Sequence, residues 1–86
     1  MKKYYISFGQ SHIHKLDHAV IDSNCIVEVD APDERTARRG ANTLFKCKYS
    51  ICYDQIPNMK HFPRGIFDIF GNSIEQEGVY SLRQFI

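Results

Sequence analysis

Residues 25–34 read Cys25-Ile26-Val27-Glu28-Val29-Asp30-Ala31-Pro32-Asp33-Glu34, and residues 35–45 continue Arg35-Thr36-Ala37-Arg38-Arg39-Gly40-Ala41-Asn42-Thr43-Leu44-Phe45. The period changes within this stretch. Up to Ala31 the apolar and polar residues alternate, as in a half-buried strand with Cys25, Val27 and Val29 inward and Glu28 and Asp30 outward. After Pro32 the spacing becomes helical. Ala37, Ala41, Leu44 and Phe45 fall at i, i+4, i+7 and i+8, which makes one apolar stripe. Pro32-Asp33-Glu34 supplies the start signal: Pro suits a first turn, and acids suit the positive end of the helix dipole. Gly40, with Ala37 and Ala41, would let this helix lie close to a sheet.

Upstream, Tyr4 to His14 reads as a strand, with Tyr4, Ile6 and Phe8 on one face and Tyr5, Ser7 and Gly9 on the other. Gly9 marks a bulge or a close backbone approach. Lys15 to Asn24 is polar and turn-like, so the two strands are expected to form a hairpin. Downstream, Tyr49 to Asp54 alternates again. Gln55 to Gly65 is a loop, and Phe62-Pro63-Arg64-Gly65 fits a tight turn with Pro at its second position. Ile66 to Phe70 is a short strand. Residues 71–86 stay ambiguous. Ser73-Ile74-Glu75-Gln76 fits a capping box, and Val79, Leu82, Phe85 and Ile86 fit helical spacing, yet Gly78 and Val79-Tyr80 also allow a strand. The expected fold is α+β, ordered β-β-α-β(β), with one helix packed on a mainly antiparallel sheet.

The 86 residues fit a single small domain, residues 1–86. A chain this short buries only about 60–65% of its unfolded surface. Its core must be small, and five Tyr and six Phe suit that. Three cysteines, an odd number with no secretory leader before them, argue against a disulfide framework and for a reducing, cytoplasmic setting. No apolar run is long enough to cross a membrane.

Net charge is only +1, but its distribution is uneven. Residues 16–34 hold six acids and no Lys or Arg. Residues 35–53 hold Arg35, Arg38, Arg39, Lys46 and Lys48 and no acid. On the helix, Arg35, Arg38, Arg39, Asn42 and Lys46 share one side at about 100° per residue. Guanidinium groups bind phosphate or carboxylate through paired hydrogen bonds, the chemistry of a polyanion or an acidic protein surface. A plain solvated helix face has the same composition.

Other groupings are weaker. His12, His14, His18 and Cys25 could begin a zinc site with Asp17, but their spacing matches no zinc pattern, and no Cys-x-x-Cys pair is present. Cys25 and Cys52 read as small core hydrophobes rather than nucleophiles. No glycine loop cradles phosphate. The residues assign no catalytic group, cofactor or metal, and a non-enzymatic module is expected. Phe62 and Arg64 on the loop are candidate interface anchors, although Phe62 equally fits a plug on the core. Glu28 and Asp30 offer an acidic edge of the kind a DNA mimic presents.

The strand Ile6-Ser7-Phe8-Gly9-Gln10-Ser11-His12-Ile13-His14, the Ala37-Arg38 pair in an acid-led helix and the Phe62-Pro63-Arg64-Gly65 turn together resemble small uncharacterised accessory proteins encoded by bacteriophages. The likeness spans roughly residues 4–67. It implies a protein acting in the cytoplasm of an infected cell, by binding and inhibiting or modulating a host defence complex in the manner of an anti-CRISPR. The partner would be a host protein or a protein–nucleic acid complex, and no membrane. The alternative is a small regulator that contacts nucleic acid directly through the basic helix. A pI near 7.7 and the lack of a stacking platform on the first strand weigh against it. The oligomeric state is open.

Overall fold

In a computed structural model of the chain, which describes residues 1–74, the elements are β1 (Lys2–Ser7), β2 (His14–Lys15), β3 (Val20–Ile21), β4 (Cys25–Ala31), α1 (Glu34–Phe45), β5 (Ile51–Tyr53), β6 (Gly65–Phe67) and β7 (Ser73–Ile74). A 3₁₀ turn, Met59–His61, precedes β6. The main sheet runs β5-β1-β4-β6-β7. Pairings β1/β4, β1/β5 and β6/β7 are antiparallel, while β4/β6 is parallel. The α+β class with one helix on a mainly antiparallel sheet is what the alternation and helix period predict.

β1 lies inside the sheet, with β4 on one side and β5 on the other. Its faces divide as expected. Tyr4, Ile6 and Phe8 enter the cluster under α1, and Tyr5 enters a second cluster on the opposite face. Ser7 is buried as well. Both β4 and β5 run antiparallel to β1, so they are parallel to each other and need a crossover between them. α1 is that crossover. Ala37, Ala41 and Phe45 are buried against Ile6, Phe8, Val27 and Cys52. The Phe8 and Phe45 rings meet edge to face, with centroids 4.8 Å apart.

Asp33 is the N-cap, and its Oδ1 accepts a bond from the Thr36 amide at 2.7 Å. Pro32 therefore precedes the cap instead of lying in the first turn. At the other end Lys46 and Cys47 both take positive φ, 53° and 64°. Their amides donate to the Asn42 carbonyl and close the helix. Leu44 is exposed, not part of the buried stripe. Gly40 does not approach the sheet. It lies about 100° round the helix from the centre of the Ala37–Ala41–Phe45 stripe, and a Cβ built on it meets nothing within 4 Å.

Several expected elements are shorter. β1 ends at Ser7 rather than reaching His14, because Gly9 at φ 63° turns the chain. The connection to β4 is not a simple turn. It carries a separate ribbon in which β2 pairs with β3. Ile21 is fully buried, and Leu16 and Ala19 pack on the same cluster. β5 is trimmed to three residues. The Phe62–Gly65 turn closes as expected, with the Gly65 amide donating to the Phe62 carbonyl at 2.9 Å. β6 stops at Phe67 because the Asp68 Oδ1 accepts from the amides of Phe70 and Asn72, which bends the chain back into β7. Ser73 and Ile74 thus form a strand and not a helix cap. The helical spacing of Val79, Leu82, Phe85 and Ile86 lies outside the described residues.

Two substitutions test this frame. Asp33→Ala should lower stability by about 1 kcal/mol through loss of the cap. Gly71→Ala should cost more. Gly71 holds φ 89°, and a Cβ there would sit 2.7 Å from the Ala19 backbone nitrogen. Denaturant titration of both variants reads the order; an equal or reversed order would contradict it.

Candidate functional site: a charged helix face and the sheet behind it

The helix places its cations on a defined arc. Arg35, Arg39, Asn42 and Lys46 fall opposite the buried stripe, at about 100° per residue. Arg38 lies to one side, toward β5, where its charge acts on Cys52 and Tyr49. The five positions therefore share one broad face. Its inner margin holds an ion pair, Arg38 Nε to Glu34 Oε2 at 3.1 Å. Both groups are about half exposed, so the pair contributes only about 0.3–0.5 kcal/mol. Among the described residues, Arg35, Arg39 and Lys46 make no ion pair.

Glu28 and Asp30 lie on the opposite face of the sheet. Val27 and Val29 pack toward α1, so strand alternation sends the two acids the other way. The Lys3 ammonium sits between them, 3.0 Å from Glu28 and 3.2 Å from Asp30. The hydrogen bonds that the ammonium donates to both carboxylates push the Lys3 pKa up. Two acids and one shared cation leave the cluster with one net negative charge. The register of β1 on β4 puts Lys3 opposite Asp30, a pairing that alternation within either strand does not show.

The loop candidates do structural work. Phe62 is half-buried against the second cluster, Tyr5, Ile26 and Ile66, beside Met59. Arg64 is spent within the molecule. Its Nη1 donates to the Val20 carbonyl at 2.7 Å and lies 3.4 Å from Asp22 Oδ2. Its guanidinium carbon lies 5.6 Å from the centre of the Phe67 ring. Arg64 thus ties the Phe62–Gly65 turn to the β2–β3 ribbon. Asp22, which the sequence marks only as the start of an Asp22-Ser23-Asn24 turn, is the hub. Its Oδ1 also accepts from the Asn24 amide at 2.9 Å and from the Cys25 thiol at 3.5 Å.

The histidines separate. His14 Nε2 donates to the Lys48 carbonyl at 2.6 Å, and its ring packs beside Phe8 and Phe45. His18 is exposed and His12 half-buried. Among the described residues no group of three or more His, Cys, Asp or Glu side chains is placed to hold a metal ion. Burial pushes the Cys25 and Cys52 thiols up, which disfavours the thiolate needed for nucleophilic attack. No helix among the described residues is long and apolar enough to cross a membrane.

The Asp22 hub generates a pH prediction. Its carboxyl is held below the ordinary value of 3.8 by the Asn24 amide bond, against the opposing effect of desolvation and with help from Cys25 and Arg64. A depressed folded pKa means a contribution that is complete above 3.8 and lost as the pH falls through the lower, folded value. Asp22→Asn should therefore flatten the acid limb of a stability–pH curve below about pH 4. Arg64→Met should leave that limb steeper than Asp22→Asn does and cost about 1 kcal/mol at pH 7. Thermal melts between pH 2 and 7 measure both; an unchanged acid limb in Asp22→Asn would remove the hub. Comparison with protein-family models, with curated proteins and with solved structures found no match to the chain.

Proposed function

We propose that the chain is a non-enzymatic binding module that docks the outward face of α1 on an acidic surface. The observation that carries this reading is the unequal neutralisation of the two charged faces. Lys3 occupies the acids Glu28 and Asp30, whereas Arg35, Arg39 and Lys46 have no ion pair among the described residues. Guanidinium groups held on a packed helix lose less freedom on binding than groups on a loop. The resemblance to phage accessory proteins favours a host defence complex, such as a CRISPR effector, as the target. It also favours action in the host cytoplasm by occlusion rather than by chemistry.

A direct nucleic-acid contact is the second reading, supported by the same unpaired cations. Salt separates the two. Three phosphate contacts give a slope of log K against log salt of about −3 on duplex DNA. Anisotropy of a labelled 20-base-pair duplex between 50 and 300 mM salt is expected to show no saturable binding at the upper end. Saturable binding there, with that slope, would put the nucleic-acid reading first.

For the protein partner, capture from host lysate followed by mass spectrometry supplies the target, and variants then decide the face. Arg35→Glu with Arg39→Glu should weaken the complex at least tenfold, about 1.4 kcal/mol. Glu28→Lys with Asp30→Lys should leave it within about twofold. The reverse pattern would assign binding to the acidic edge.

A further inference from the structure

We propose that the half-open edge of β4 accepts an extended segment of a partner protein in which apolar residues alternate with lysine or arginine. β6 faces only Cys25–Val27, and the chain then turns away at Asp68. From Glu28 to Ala31, β4 therefore has β1 on one side and, among the described residues, no strand on the other. The Arg64 amide donates to the Asn24 carbonyl, so the even-numbered residues of β4 turn their main-chain groups toward the β6 side. Asp30 thus holds an N–H and a C=O outward with no strand among the described residues to receive them, a template for another chain. They open on a groove of about 490 Å³ between β4, α1 and the β6–β7 turn.

The two faces of this edge specify the occupant. On the helix side the groove is apolar. Val29 and Ala31 line it, with the exposed side chains of Leu44, Ile69 and Phe70. Gly40 adds depth, because the space where its Cβ would stand is open. On the far side the strand carries Glu28 and Asp30, which share the Lys3 ammonium. Asp68 also lines the groove. Its carboxylate accepts only from the main-chain amides of Phe70 and Asn72 and from the Asn72 side chain, none of them charged. Three carboxylates thus meet one cation, and among the described residues no Lys, Arg or His lines the groove. Arg35 and Arg39 stand about 100° or more round the helix from Gly40. A strand laid beside Glu28–Ala31 places alternate side chains on the two faces. Those on the helix side enter the groove, where apolar groups fit. The others lie beside Glu28 and Asp30, where a cation meets the surplus negative charge. This surface lies beyond the helix-face reading: it uses neither Arg35 nor Arg39 and takes a segment of the opposite charge.

The test uses the full chain and three synthetic octapeptides: alternating valine and lysine, its ester-backbone analogue, and alternating valine and glutamate. The valine–lysine peptide should bind saturably, shift the resonances of Val29–Ala31 and slow exchange of the Asp30 amide. The ester analogue, which lacks backbone donors, and the valine–glutamate peptide should each bind at least tenfold more weakly. Glu28→Lys with Asp30→Lys should cost at least tenfold against the valine–lysine peptide. Gly40→Leu, whose added Cβ meets nothing within 4 Å, should cost as much without lowering the melting temperature. Arg35→Glu with Arg39→Glu, which tests the helix face, should not weaken the peptide. No binding of the valine–lysine peptide, or equal binding to Gly40→Leu, overturns the groove and leaves the helix-face reading intact. Equal binding of the valine–glutamate peptide overturns the basic occupant, and equal binding of the ester analogue overturns the ladder. An Asp30 amide already protected in the chain alone would mean that the edge is taken, and overturns the proposal as well.

Discussion

The crossing of α1 over β1 is the constraint on which the rest of the molecule depends. β4 and β5 run in the same direction with β1 between them, so the chain must leave the sheet and return across its face. Only a helix with a narrow apolar stripe and small side chains can lie that close. Ala37 and Ala41 bring the backbone in, and Phe45 fills the space beside Phe8. Burying the two phenyl rings and Ile6 contributes on the order of 2–3 kcal/mol per side chain. Among the described residues no α-helix packs on the other face, and the loop carrying Met59 and Phe62 packs there instead.

Charge separation follows from that crossing. Once the odd-numbered residues of β4 turn toward α1, Glu28 and Asp30 have only the far side available. The helix, held by its stripe, has only its outer side for Arg35, Arg39 and Lys46. Two consecutive stretches of opposite sign in the chain thereby become two opposite sides of the protein. They are unequal because Lys3, from β1, offsets half the charge of one of them.

The parts legible in the sequence are those with local causes. The period change at Pro32, the Asp33 cap, the two faces of β1 and the Pro63 turn each follow from a few adjacent residues. The β2–β3 ribbon was not legible, since two-residue strands carry no period and Ile21 is buried by a partner far along the chain. The parallel pairing of β6 with β4 is equally non-local. Arg64 and Phe62 show the same limit for function. Their residue types suit an interface, but Val20 and Asp22 claim Arg64, which nothing nearby in the chain announces, and the second cluster takes Phe62 as the core plug that its residue type equally allowed. The basic face was legible as a stripe, while its lack of neutralising partners required the folded arrangement.

The place of β1 between β4 and β5 has a consequence for how the chain acquires its structure. β1 is the first element in the sequence, yet both of its hydrogen-bonding neighbours come later, and β5 follows only after the ribbon, β4 and the helix. During synthesis this strand waits with Tyr4, Tyr5 and Ile6 unsheltered while most of its sheet is still being made. Non-local pairing of this kind slows folding and lengthens exposure of apolar surface. Lys2 and Lys3 stand at the head of that waiting strand, where charge guards against wrong pairing. The lysine that later offsets half of the acidic cluster's charge thus also serves as a gatekeeper before any face exists.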